Sequence, residues 1–484
     1  MITLLISMAA LILGYIIYGK FVDKVFSPDT KRLTPATLKA DGIDYVPLPA
    51  WKAFMIQFLN IAGTGPIFGA ILGAQFGPSC YFWIVLGCIF GGGVHDYFTG
   101  MLSMRHGGAG MPVLCGQYLG GKIKKIMLFF SLLLLLLVGA VFVYSPAVIL
   151  GGLIADGSRR AVMICVICVL LYYIVATLLP IDKLIGRVYP IFAIALLFMG
   201  FALFGHMLAN WPTTVPEIWD GLQNRAPQNG SIFPCMFVTI ACGAISGFHA
   251  TQSPLMARCL TNEKLGRPIF YGSMITEGII ALIWAAVSSY FFFGGGNVEM
   301  GAEGVTAAPA VVTVVSKSWL GTVGSVLAIL GVVAAPITSG DTALRSARLI
   351  IADAAHIEQK HIGKRLAVSL PIFALTGLLL WFDIARPNGF DIIWRYFGWA
   401  NQSLAVFVLL TAAAYLAKNK SGKYYLMALI PACFLTAVCI TYICTAKIGF
   451  NLPDSTIPYI GVITFVVSAV LYLISVKNYR KQGL

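Results

Sequence analysis

Charge is what this sequence lacks. Only 11% of its 484 residues are Asp, Glu, Lys or Arg, against about a quarter in soluble domains. Acid is scarcest, with 19 Asp and Glu against 33 Lys and Arg, and there are only six His. Polar stretches are few and short: residues 21–50, 107–125, 210–232, 294–318 and 345–366 are each too small for a separate soluble domain. Several motifs are missing as well. No HExxH appears, and no second cysteine pair accompanies Cys165 and Cys168. Gly116–Lys122 has the spacing of a phosphate loop, but Ile123 stands where Ser or Thr is required. These absences exclude a disordered chain, a disulfide scaffold, an ordinary cytosolic enzyme and a nucleotide-driven pump. The 11 cysteines lie mainly in apolar segments and read as packing residues, and no cofactor is implied.

Apolar residues supply what charge does not. They make up 59% of the chain, and mean hydropathy is +0.86. Apolar runs of about 20 residues recur, the length of a membrane-spanning helix and not of a barrel strand. The fold class is therefore an all-α polytopic membrane protein in a single transmembrane domain, with about 13 spans. The expected spans are Ile2–Gly19, Trp51–Phe76, Ser79–Met104, Ile126–Ile154, Ala161–Pro180, Tyr189–Ala209, Phe233–Ala257, Ile269–Phe293, Trp319–Leu344, Ala367–Trp381, Ile392–Ala417, Tyr425–Thr445 and Ile457–Val476. Of the 33 basic residues, 26 follow odd-numbered spans and 7 follow even-numbered ones. That alternation puts the N-terminus outside and the C-terminus in the cytoplasm. It makes the net charge of +14 a topology signal with no nucleic-acid partner behind it. The first span has no basic residue ahead of it and no cleavage site, so it is expected to be a retained helix.

Two spans are interrupted midway. The second breaks at Asn60-Ile61-Ala62-Gly63-Thr64-Gly65-Pro66, and the seventh from Cys242 to Pro254. Unwound backbone at membrane depth survives only where it is buried in protein or lines a cavity. An offset of five spans gives the two halves opposite orientation, so residues 51–209 and 233–417 form an inverted five-plus-five repeat. Residues 1–20 and 425–476 add helices at either end. This is the plan of many carriers that bind substrate at the midplane. Pro66 suits the first turn of a new half-helix, and Gly65, Gly69, Gly73 and Gly77 make a close-packing stripe. On this topology both half-helices begin at mid-depth, where their N–H groups and dipoles favour an anion. The expected ligand is a small carboxylate or a peptide C-terminus. Asn60, Gly63, Thr64, Gly65, Ser246, Gly247, His249 and Gln252 are the candidate contacts.

Ionisable residues inside spans mark ion pathways. His95, Asp96, Glu277 and Asp341 fall in the inner half, and His249 in the second break, forming a candidate proton route. The blander reading pairs Asp341 with Arg345, and Asp96 with Arg105 or another basic residue. Thr338, Ser339 and Thr342 at the end of the ninth span face two readings. Their hydroxyls either complete an oxygen cage for sodium with carbonyls such as that of Gly63, or bond their own helix. Asn401 and Gln402 are expected to hydrogen-bond between helices.

Seven runs resemble the carbon starvation protein A (CstA) family of membrane transporters. They are DYVP (Asp44–Pro47), IAGTGPI (Ile61–Ile67), GAQFG (Gly73–Gly77), GGVHD (Gly92–Asp96), FVTIACGAISGFH (Phe237–His249), TSGDTALRSARLIIAD (Thr338–Asp353) and FGWANQSLA (Phe397–Ala405). The resemblance implies a LeuT-like core and inner-membrane uptake of peptides or pyruvate during carbon starvation. It also implies sodium at Thr338 and Ser339, as LeuT-like carriers often have. The chain is similar to a short branch of the family, without the extra C-terminal helices of longer members. Its segment after GFH is poorer in Ser and Thr.

Overall fold

The computed structural model describes residues 1–42, 45–155, 158–178, 181–357, 361–386 and 389–483. Asp44 of the DYVP run and Pro180 at the end of the fifth span lie outside the described residues. The architecture is all-helical, with no strand among the described residues. Among the described residues, nine helices are long and apolar enough to cross a membrane, ten when the bent pair Ala50–Ile61 and Gly65–Ala74 counts as one span. The sequence led us to expect thirteen. The other three expected spans are those with glycine, proline or ionisable residues at mid-length. The third is helical from Ser79 to Arg105 and widens into π turns at Gly87–Gly92. The ninth lies within a helical stretch from Ala308 to Ala354. The seventh is split into two short helices.

Two boundaries differ from the sequence reading. The ninth span was expected to begin at Trp319, yet its helix starts at Ala308 and bends at Gly321, whose φ of +58° favours glycine. Helix Gly121–Ala155 starts before Ile126, because Lys122, Lys124 and Lys125 extend the helix beyond its apolar part. Hydropathy follows the hydrocarbon, while the backbone follows its own hydrogen bonds.

Both interruptions exist. Helix Ala50–Ile61 ends at Ala62, and Gly65–Ala74 leaves at 47° to it. In the seventh span, helix Phe237–Thr239 stops and the next begins at His249. The second break therefore covers residues 240–248, shorter than the run to Pro254 read from sequence. His249 and Gln252 sit on helix. The two breaks touch. A Cβ on Gly65 would lie 2.4 Å from Cys242 Cβ, one on Gly69 3.1 Å from the Thr239 carbonyl, and one on Gly73 2.2 Å from Ile240. The glycine stripe is the seam along which the two broken spans pack, as small residues allow in membranes. Gly77, at φ +98°, ends the stripe in a turn against Arg225.

Candidate functional site

Gly92 lets the site assemble. A Cβ there would lie 2.5 Å from the Ala244 carbonyl, so the second break seats directly on the third span. One turn later come His95 and Asp96, which meet His249 at the start of the new half-helix. Asp96 accepts at both oxygens: His95 Nδ1 is 2.7 Å from Oδ1 and His249 Nδ1 is 2.8 Å from Oδ2. Beyond them, His249 Nε2 lies 3.4 Å from Glu277 Oε2 on the eighth span. All four side chains are fully buried. A carboxylate only accepts, so each imidazole gives its Nδ1–H to Asp96 and leaves its Nε2 outside that bond. His249 Nε2 then faces Glu277. Neither the His95 Nε2 nor either Glu277 oxygen has a hydrogen-bond partner among the described residues.

Asp96 does not pair with Arg105, as the blander reading had it. Arg105 Nε and Nη2 donate to the two oxygens of Glu263 at 3.1 and 2.9 Å. Asp341 stands apart from the four, with Arg345 Nη2 3.6 Å from its Oδ2 one turn on.

The second break is held by Asn401. Its Oδ1 accepts from Ser246 Oγ at 3.1 Å and from the Phe248 amide at 2.7 Å, and its backbone carbonyl accepts from the Gly247 amide. Gln402 donates to the Phe237 carbonyl at 2.6 Å. These two residues do bond between helices: Asn401 holds the unwound segment, and Gln402 holds the short helix Phe237–Thr239 ahead of it. The consequence is a correction: the amides leading into the second half-helix are already capped, so the two half-helices are not equivalent anion sites. Around the first, Asn60 Oδ1 and Thr64 Oγ1 are buried without a hydrogen-bond partner among the described residues, as is Gln252 Oε1 on helix His249–Ala257. Gln57, not singled out by sequence, donates to Ser253 Oγ at 3.0 Å and joins the two broken spans.

At the ninth span, Ser339 Oγ donates to the Leu59 carbonyl at 3.1 Å and sits beside Gly63. Thr338 and Thr342 instead return their hydroxyls to Ala335 and Ser339 of their own helix. One of the three hydroxyls thus reaches the broken span. Tyr189 OH donates to the Thr338 carbonyl at 3.1 Å and Tyr173 OH to those of Phe142 and Pro336, contacts sequence gave no reason to expect.

The carbon starvation protein CstA family model matches residues 1–164, 146–321 and 296–442. A peptide transporter CstA of Escherichia coli is 26% identical over 583 residues, covering 94% of this chain and 82% of its own. A pyruvate/proton symporter, BtsT, of the same organism is 27% identical over 345 residues, 58% of this chain and 48% of its own. Among solved structures, a manganese transporter of Eremococcus coleocola superposes with a TM-score of 0.58 at 11% identity, over 91% of this chain and 99% of its own. At that identity the likeness is one of fold.

Proposed function

Since the chain belongs to the carbon starvation protein CstA family of membrane transporters, we propose that it is a proton-coupled secondary transporter that imports a small carboxylated nutrient, a short peptide or a pyruvate-like acid. In this reading 13 spans form a LeuT-like inverted repeat with the N-terminus outside. The observation that carries it is the buried bridge His95–Asp96–His249–Glu277 at the second break. A proton arriving at Glu277 or His249 changes the charge beside an unwound segment, the element expected to move when access alternates. The carboxylate of the cargo belongs at the first half-helix, near Asn60, Gly63, Thr64 and Gly65, with Gln252 opposite. Ser246 and Gly247 are committed to Asn401 and act by shaping the site.

A sodium-driven version is supported by a single contact, Ser339 to the Leu59 carbonyl beside Gly63. Uptake into proteoliposomes under separate proton and sodium gradients decides between the two. The expected outcome is saturable accumulation of a labelled dipeptide or pyruvate driven by protons alone. Accumulation with sodium alone would transfer coupling to Ser339, and flux that never saturates would mean a channel.

A further inference from the structure

The face assigned to the outside carries a cavity of about 620 Å³, within the size range of small-molecule sites. Its floor is made by the broken spans: Leu72 comes from the first and Thr239, the last residue before the second break, from the seventh. One wall is tied together by side chains. Asn229 Nδ2 donates to Gln75 Oε1 at 2.8 Å, and Gln75 Nε2 donates to the Thr306 carbonyl at 3.2 Å. The opposite walls hold four charges, contributed two by two. Helix Gly389–Asn419 brings Asp391 and Arg395, and the segment after helix Leu426–Thr445 brings Lys447 and Asp454.

Among the described residues none of these four is in an ion pair, although Asp391 and Arg395 are one turn apart. The outer face is also where basic residues are rare, and two of the seven that follow even-numbered spans line this one cavity. Placing cations there runs against the topology rule, and two acids in the same lining keep the cavity near neutral. A ligand of one charge sign gains from one half of such a lining and is repelled by the other. A ligand carrying both signs gains from both.

We propose that this cavity is a capture site for zwitterions, molecules bearing an ammonium and a carboxylate together. The half-buried Arg395 takes the carboxylate through its planar fork, with Lys447 beside it, and Asp391 and Asp454 take the ammonium. The inference deepens the transporter reading and rests on it only for where the captured molecule goes next. It selects amino acids and short peptides over simple monocarboxylates.

Equilibrium binding of labelled dialanine to the full chain in nanodiscs, with no gradient, tests the site apart from transport. Arg395→Gln is expected to weaken binding at least tenfold, and Arg395→Lys less. Asp391→Asn should weaken dialanine while leaving competition by N-acetyldialanine unchanged, a readout that misfolding would not give. Pyruvate and N-acetyldialanine should each compete at least tenfold more weakly than dialanine. The proposal is overturned if the wild type does not bind dialanine, if Arg395→Gln binds as tightly as wild type, or if pyruvate competes equally well. Failure of the transporter reading would appear separately, as binding without gradient-driven accumulation.

Discussion

Replacing Asp96 by Asn keeps the side chain's shape but swaps one acceptor for a donor. Two imidazole Nδ1–H groups then compete for one oxygen, and either His95 or His249 must let go. Leaving one buried group unsatisfied costs about 1–3 kcal/mol, so the variant should still fold in the membrane. The expected phenotype is at least a tenfold loss of proton-driven accumulation with substrate exchange retained. Both are measured in the same proteoliposomes, and unchanged accumulation would remove Asp96 from the coupling path. All four members of this cluster could be named from sequence because acids and histidines inside spans are so few. Their convergence could not, since it depends on a glycine, Gly92, that lets another backbone approach. Asp341 shows the reverse. Its spacing to Arg345 pointed to a local pair, and the local pair is what the structure contains.

At the scale of elements, the weight falls on two short helices and the seam between them. Gly65 has no room for a side chain: an added Cβ would lie 2.4 Å from Cys242 Cβ and 2.5 Å from its Sγ. Gly65→Val must therefore push the two breaks apart, and overpacking of this kind costs about 1–3 kcal/mol. We expect a lower melting temperature in detergent together with loss of transport. Gly205→Ala, in helix Ile181–Asn210 with no atom within 4 Å of the added Cβ, serves as a control for transport. The interruptions themselves were legible, since Gly, Pro and polar residues cannot remain in hydrocarbon without a partner. The second was read too long because Pro254 looks like a breaker, yet it sits in the first two turns of helix His249–Ala257. What sequence hid was the capping of that half-helix by Asn401. Its partner residues lie on a different span, and nothing local to Ser246–Phe248 announces it.

For the whole molecule, the two faces are unequal. On the proposed topology, the side opposite the wide outer cavity faces the cytoplasm and has a pocket of only about 50 Å³ between residues such as Leu255 and Ser346. The third span, the Glu263 segment and the eleventh span are bound together on that side by Arg105. It holds Glu263 through two nitrogens, donates to Tyr415 OH at 2.8 Å and to the Ser27 carbonyl at 2.9 Å, and stacks over Phe26 at 3.9 Å. Glu263 is 1% exposed and also accepts from the Asp29 amide, so the extra N-terminal helix is tied into the same knot. On the proposed topology, we read this knot as what closes the cytoplasmic side. Glu263→Gln removes the charge while keeping the shape. A charge-assisted bond has a net worth of about 1.5–3 kcal/mol, enough to shift a two-state ratio by about tenfold or more. On the proposed topology, a cysteine at Leu255 should then react faster with a maleimide applied from the cytoplasmic side, and one at Thr239 more slowly with reagent from outside. Each rate is compared with the same cysteine in the Glu263 parent. Opposite changes at the two positions are what alternating access requires, whereas a general loosening of the fold would speed both.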